Sequence, residues 1–161
     1  MKCGEITVKE LEDQEVAYVS FKGDYMGNPE VFAKLFEKLC GWAGPKGLIN
    51  QDTKFRSAYY DDPQVTPPQD LRLDICMSIN SEVQVDGEII KALMPGGKHV
   101  VMNAELDGPQ EYGPAWMKVV DYIKANNLEI DATRPSYELY LNCPDEHPEK
   151  HHILDVCMAV K

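Results

Sequence analysis

The sequence predicts an α+β fold: one internally duplicated domain made of two pseudo-twofold-related strand–helix–strand–strand units, with antiparallel sheet and a cleft between the halves. Three observations carry that expectation. Residues 73–79, LDICMSI, return as LDVCMAV at 154–160, and the same offset of 81 carries Tyr59 onto Tyr140, Pro63 onto Pro144, Asp74 onto Asp155 and Cys76 onto Cys157. Each half holds one segment with apolar residues at helical spacing, flanked by short strand-like runs. No low-complexity stretch separates the halves, about 1–82 and 83–161, so the 161 residues read as a single domain.

Taken in order, strands are expected near 4–9 and 15–22, the second carrying Val16, Tyr18 and Val19. Asn28-Pro29-Glu30 then supplies a capping residue, a proline for the first turn and an early acid. Val31, Phe32, Leu35, Phe36, Leu39 and Cys40 continue this helix as one apolar stripe, which Gly41, Gly44, Pro45 and Gly47 end. Strands near 53–60 and 71–80 follow, joined by the turn-rich DDPQVTPPQD. In the second half, strands near 86–93 and 98–106 flank Pro95-Gly96-Gly97, which reads as a hairpin turn. A helix near 111–126 carries Trp116, Val119, Val120 and Ile123, offset by 84 from Phe32, Leu35, Phe36 and Leu39. Strands near 135–142 and 152–160 close the domain, giving two hairpin–helix–hairpin units.

Composition narrows the function. A net charge of −11 argues against direct nucleic-acid binding, because neutralising phosphates requires Lys and Arg in excess. It suits cationic ligands or basic partner surfaces. The segment MKCGEITVKELEDQE is charged from the outset and has no run apolar enough for a signal peptide, and no stretch approaches a membrane span. Five scattered cysteines, without an export signal, are expected as reduced thiols in a cytoplasm, with Cys76 and Cys157 as small buried residues.

The residue that stands out is Glu138. In the strand PSYELYL, alternation places Tyr137, Leu139 and Leu141 on one face and Ser136, Glu138 and Tyr140 on the other. The apolar face is expected under the helix, turning Glu138 and Tyr140 toward solvent or the cleft. The position equivalent to Glu138 in the first half is Ser57, so only one half carries the carboxylate. Exposed strand glutamates are ordinary. One lodged among rings, however, would receive a cation, since burying it alone is costly and each aromatic face adds about 0.5–2 kcal/mol of cation–π attraction. Tyr112 and Trp116, four residues apart on one helix face, would form a wall, with Tyr59 and Tyr140 as strand aromatics.

The loop CPDEHPEKHH offers Cys143, Asp145, Glu146, His147, His151 and His152, but its spacing matches no standard zinc pattern. No metal and no cofactor are therefore expected. No G-x-S-x-G, H-E-x-x-H or Cys-x-x-Cys motif is present, so no catalytic residue is assigned.

The segment SAYYDDPQVTPPQDLRLDICMSI, with its Tyr-Tyr-Asp-x-Pro, Thr-Pro and Leu-Arg-x-Asp run, resembles the GyrI-like small-molecule-binding family, as does SYELYLNCP…LDVCMAV. The resemblance spans roughly Val16 to Val160. That family includes a stand-alone bacterial DNA gyrase inhibitory protein and the effector-binding domains of AraC-type and MerR-type multidrug-responsive regulators. The resemblance implies a duplicated α+β fold with a ligand cleft and a strand glutamate at the base of an aromatic pocket, here Glu138, with Trp116 as the helix tryptophan. Tyr140, Tyr112 and Tyr59 are added by parity of position. The function so implied is binding of amphipathic, often cationic or planar aromatic small molecules. Two alternatives come with it: an interaction protein that modulates DNA gyrase, and a hydrolase of cyclopropane-bearing toxins with Glu138 as general base.

Overall fold

The computed structural model describes all residues, Met1–Lys161, and turns the alternating segments into eight strands. These are β1 (Lys2–Leu11), β2 (Gln14–Lys22), β3 (Phe55–Tyr59), β4 (Arg72–Ser78), β5 (Ile90–Met94), β6 (Gly97–Leu106), β7 (Ser136–Tyr140) and β8 (His152–Ala159). The two helically spaced segments are α1 (Pro29–Ala43) and α2 (Tyr112–Ala125), and short 3-10 turns occupy Pro68–Asp70, Pro109–Glu111 and Pro144–Glu146.

Helix α1 begins at Pro29, whose missing N–H would have been one of the unpaired donors of a first turn in any case. Asn28 stands at the cap position, but its side chain makes no capping bond; its backbone oxygen accepts from Val31 N at 3.2 Å. The helix buries Leu35, Leu39 and Ala43, one face at four-residue spacing. α2 does the same with Ala115, Val119 and Ile123.

The chain divides into two compact units. Residues Asp13–Pro95 hold strands in the order β3-β4-β2-β5, and α1 lies against β2 and β4. The core there joins Leu35, Leu39 and Ala43 to Ala17, Val19, Leu73, Ile75 and Met77. The other unit combines Met1–Glu12 with Gly96–Lys161, strands in the order β1-β6-β8-β7, and α2 lies against β6 and β8. Its core joins Ala115, Val119 and Ile123 to Val100, Met102, Ala104 and Leu106 of β6 and to Leu154 and Val156 of β8. Most of these side chains are fully buried, each of the larger ones worth roughly 1.5–3 kcal/mol over exposure.

This division departs from the expected halves and from the expected hairpins. β1 does not pair with β2, its neighbour in sequence. It pairs antiparallel with β6, from Lys2↔Glu105 to Leu11↔Gly97, while β2 pairs with β4 and β5. The Pro95-Gly96-Gly97 segment is therefore a crossing between units and not a hairpin turn. Glycine is required there by a close backbone approach: a Cβ on Gly96 would stand 2.1 Å from the carbonyl oxygen of Leu11. The start of β6 is held by Arg134, whose guanidinium donates to the carbonyls of Gly96 (2.8 Å), Lys98 (3.0 Å) and Val160 (2.7 Å). Asp131 holds that guanidinium at 3.0 Å. No helix is long and apolar enough to cross a membrane.

Candidate functional site

Register decides which side chains face α2. Glu138 pairs with Val156 and Tyr140 with Leu154, and both β8 residues belong to the core under the helix. Paired residues share a sheet face, so Glu138 and Tyr140 point toward α2. This corrects the expectation that Tyr137 and Leu139 pack under the helix. Those two pair with Cys157 and Asp155 on the opposite face, where the Tyr137 ring lies 5.6 Å from that of His99.

Glu138 is only 3% exposed. Its two oxygens accept separate hydrogen bonds: Trp116 Nε1 donates to Oε2 at 2.7 Å, and the Tyr140 hydroxyl donates to Oε1 at 2.7 Å. An ionised carboxylate, which is an acceptor only, fits two donors well. Trp116 comes from the helix and Tyr140 from the same strand two residues on, so α2 and β7 are tied through one carboxylate. Each ring offers its polar edge to Glu138.

Tyr112 stands one helical turn before Trp116, and both pack against the core beneath α2. Its hydroxyl lies 2.7 Å from His152 Nδ1, the rings meeting edge-on at 89°. Burial, and then the charge of Glu138, push the Tyr112 phenol above its ordinary range. Burial lowers the His152 imidazole, with Asp145 opposing and His151 adding to the shift. Both shifts favour neutral forms, so the phenol donates and the imidazole accepts. The structure thus brings four of the five predicted residues, Glu138, Trp116, Tyr140 and Tyr112, into one unit. Tyr59 belongs to the other unit, where its ring lies 5.5 Å from Tyr25.

Sequence reasoning missed His152 as a member of this cluster. It was counted only with the loop, whereas its place opposite Leu106 at the start of β8 sets it under Tyr112. It also missed Asp74, 8% exposed, which accepts from Ser20 Oγ and, at 2.6 Å, from the Tyr60 hydroxyl. An open depression of about 510 Å³ lies between β1 and α2, lined in part by Ile6, Met102 and Tyr122. None of its lining residues belongs to the Glu138 cluster.

A family model described as the GyrI-like small molecule binding domain matches residues 4–161. The chain belongs to the GyrI-like family. As a GyrI-like protein it is a small-molecule-binding domain. It is 26% identical over 110 residues to DNA gyrase inhibitor 1 of Dickeya dadantii (strain 3937), covering 66% of this chain and 70% of the relative. Among solved structures, the EcmrR C-terminal domain matches with a TM-score of 0.75 at 13% identity, covering 98% of this chain and 97% of that one. In the EcmrR–DNA complex the TM-score is 0.79 at 14% identity, and the GyrI-like chain spans 57% of the longer EcmrR chain. SAV2435, solved bound to tetraphenylphosphonium, matches with a TM-score of 0.62 at 14% identity over 98% of this chain and 94% of that one. At such identities the structural matches establish the fold: α+β, with two helices and antiparallel strands.

Proposed function

We propose that the protein binds amphipathic organic cations, with Glu138 as the charge receptor and Trp116, Tyr140 and Tyr112 as the ring surfaces around it. The observation that carries this reading is the enclosure of a carboxylate between two aromatic donors. Trp116 and Tyr140 reach Glu138 through their N–H and O–H edges, and a planar or multi-ring guest would meet ring faces. Such a guest would contact a negative charge already stripped of most of its water, where electrostatic attraction exceeds that at an exposed acid. The tetraphenylphosphonium bound to SAV2435 supports a lipophilic cation as the probe to use. A cytoplasmic setting and reduced thiols belong to the same reading.

The test is titration of intrinsic fluorescence with tetraphenylphosphonium in a Trp42→Phe background, which leaves Trp116 as the sole reporter of the two tryptophans. Glu138→Gln is expected to weaken binding by roughly tenfold or more, the scale of about 1.4 kcal/mol. Equal affinity in both proteins would overturn the assignment of Glu138.

A second reading, modulation of DNA gyrase, draws support from the relatives named as gyrase inhibitors. Inhibition of supercoiling by purified protein would support it. Full supercoiling at large molar excess would exclude it.

A further inference from the structure

We propose that Glu105, His147 and His151 form a binding site for a divalent transition-metal ion of the zinc, nickel or cobalt class. The three residues come from two separate stretches. Glu105 stands at the end of β6, and both histidines lie on the connector between β7 and β8. Yet one ligand atom from each falls within 4.8 Å of the other two. The two imidazoles stack with centroids 4.9 Å apart and planes 17° from parallel. His151 Nδ1 is already 3.1 Å from Glu105 Oε2. Side-chain rotations closing the three donors onto a common point complete a set of two nitrogens and one oxygen, at bond lengths of about 2.0–2.2 Å.

The connector holds this arrangement in place. Asn142 acts as a side-chain bridge, donating to His151 O at 3.0 Å and accepting from Ile153 N at 2.9 Å. The backbone N–H groups of Glu149 and His151 donate to His147 Nδ1 at 3.1 and 3.3 Å, which fixes that ring and leaves Nε2 as its outward nitrogen. The charge around His151 favours a dication. Besides Glu105, Glu149 Oε2 lies 3.3 Å and Asp107 Oδ1 3.5 Å from His151 Nε2. Two cations share these acids: Lys2 is 3.9 Å from Glu105, and the Met1 amine is 3.6 Å from Asp107. Imidazole nitrogens beside a carboxylate select borderline transition metals over calcium or magnesium, which prefer all-oxygen shells. The metal would clip the β7–β8 connector to β6 next to His152, the partner of Tyr112. The site stands independently of the ligand reading.

The experiment is equilibrium dialysis of the untagged full chain with zinc and nickel, together with the visible spectrum of added cobalt. One bound equivalent is expected, with a d–d spectrum of nitrogen and oxygen ligation. His147→Gln and His151→Gln should each weaken binding by roughly tenfold or more, with circular dichroism confirming that each variant folds. Cys143→Ser, in the same connector, should leave binding unchanged. No stoichiometric binding at about 100 µM metal, equal affinity in His151→Gln, loss of binding in Cys143→Ser, or equal preference for magnesium would each overturn the proposal.

Discussion

The indole N–H of Trp116 meets Glu138 Oε2 at 2.7 Å, so a helix residue and a strand residue 22 apart in sequence share one buried charge. Removing that donor takes away one of the hydrogen bonds that hold a desolvated carboxylate. Trp116→Phe is expected to lower stability by about 1–3 kcal/mol in urea denaturation. Met117→Ala, at a neighbouring exposed position, should change little. Equal effects at the two positions would contradict the assigned role.

Tyr60 gives a prediction at alkaline pH. Burial first, and then the hydrogen bond to Asp74, raise its phenol well above the ordinary range. A raised folded-state value means that the native protein holds a proton which the unfolded chain releases. Stability from this source is complete below the unfolded value of about 10 and declines as pH climbs beyond it. The urea midpoint should fall between pH 9 and pH 11, and Tyr60→Phe should make that fall shallower.

His152 acts in the opposite direction. Its folded-state value is lowered, so the unfolded chain takes up a proton first as the solution is acidified. Its contribution is complete above the unfolded value of about 6.5 and is lost as pH falls through that region. His152→Gln should flatten the pH dependence of stability between pH 7.5 and pH 5. A carbon-bound proton resonance of His152 that titrates above the free-histidine value would refute this.

Arg134 donates to the backbone carbonyls of Gly96, Lys98 and Val160, all within its own unit. A lysine presents one point charge where the guanidinium presents a fork. Arg134→Lys should cost about 1.5–3 kcal/mol and accelerate hydrogen exchange at the start of β6, around Lys98 and His99. Exchange unaltered there would show that the clamp is dispensable.

Much of this structure was legible because local periodicity survives in the fold. Leu35 and Leu39 in α1 and Val119 and Ile123 in α2 were placed by spacing alone, and all four are buried. Glu138 was singled out by its contrast with Ser57, and it proves to be enclosed. Its face was misread because alternation within five residues says which side chains share a face, not which face a helix covers. That choice is made by Leu154 and Val156 across the ladder. Asp74 escaped notice because its donors Ser20 and Tyr60 lie 54 and 14 residues away, beyond any local pattern. The strand exchange was hidden for the same reason: β1 and β5 have ordinary strand sequences, and only tertiary pairing names their partners.

The pairing of β1 with β6 means that the first strand made cannot complete its ladder until much of the chain has followed it. Leu11 leaves the ribosome 86 residues ahead of Gly97, the nearest point of its partner strand. The stretch Asp13–Pro95 is synthesised in the meantime, while β1 waits with an open edge. The unit carrying Glu138 therefore needs both ends of the chain, and a chain halted before β6 is made would have no partner strand for β1.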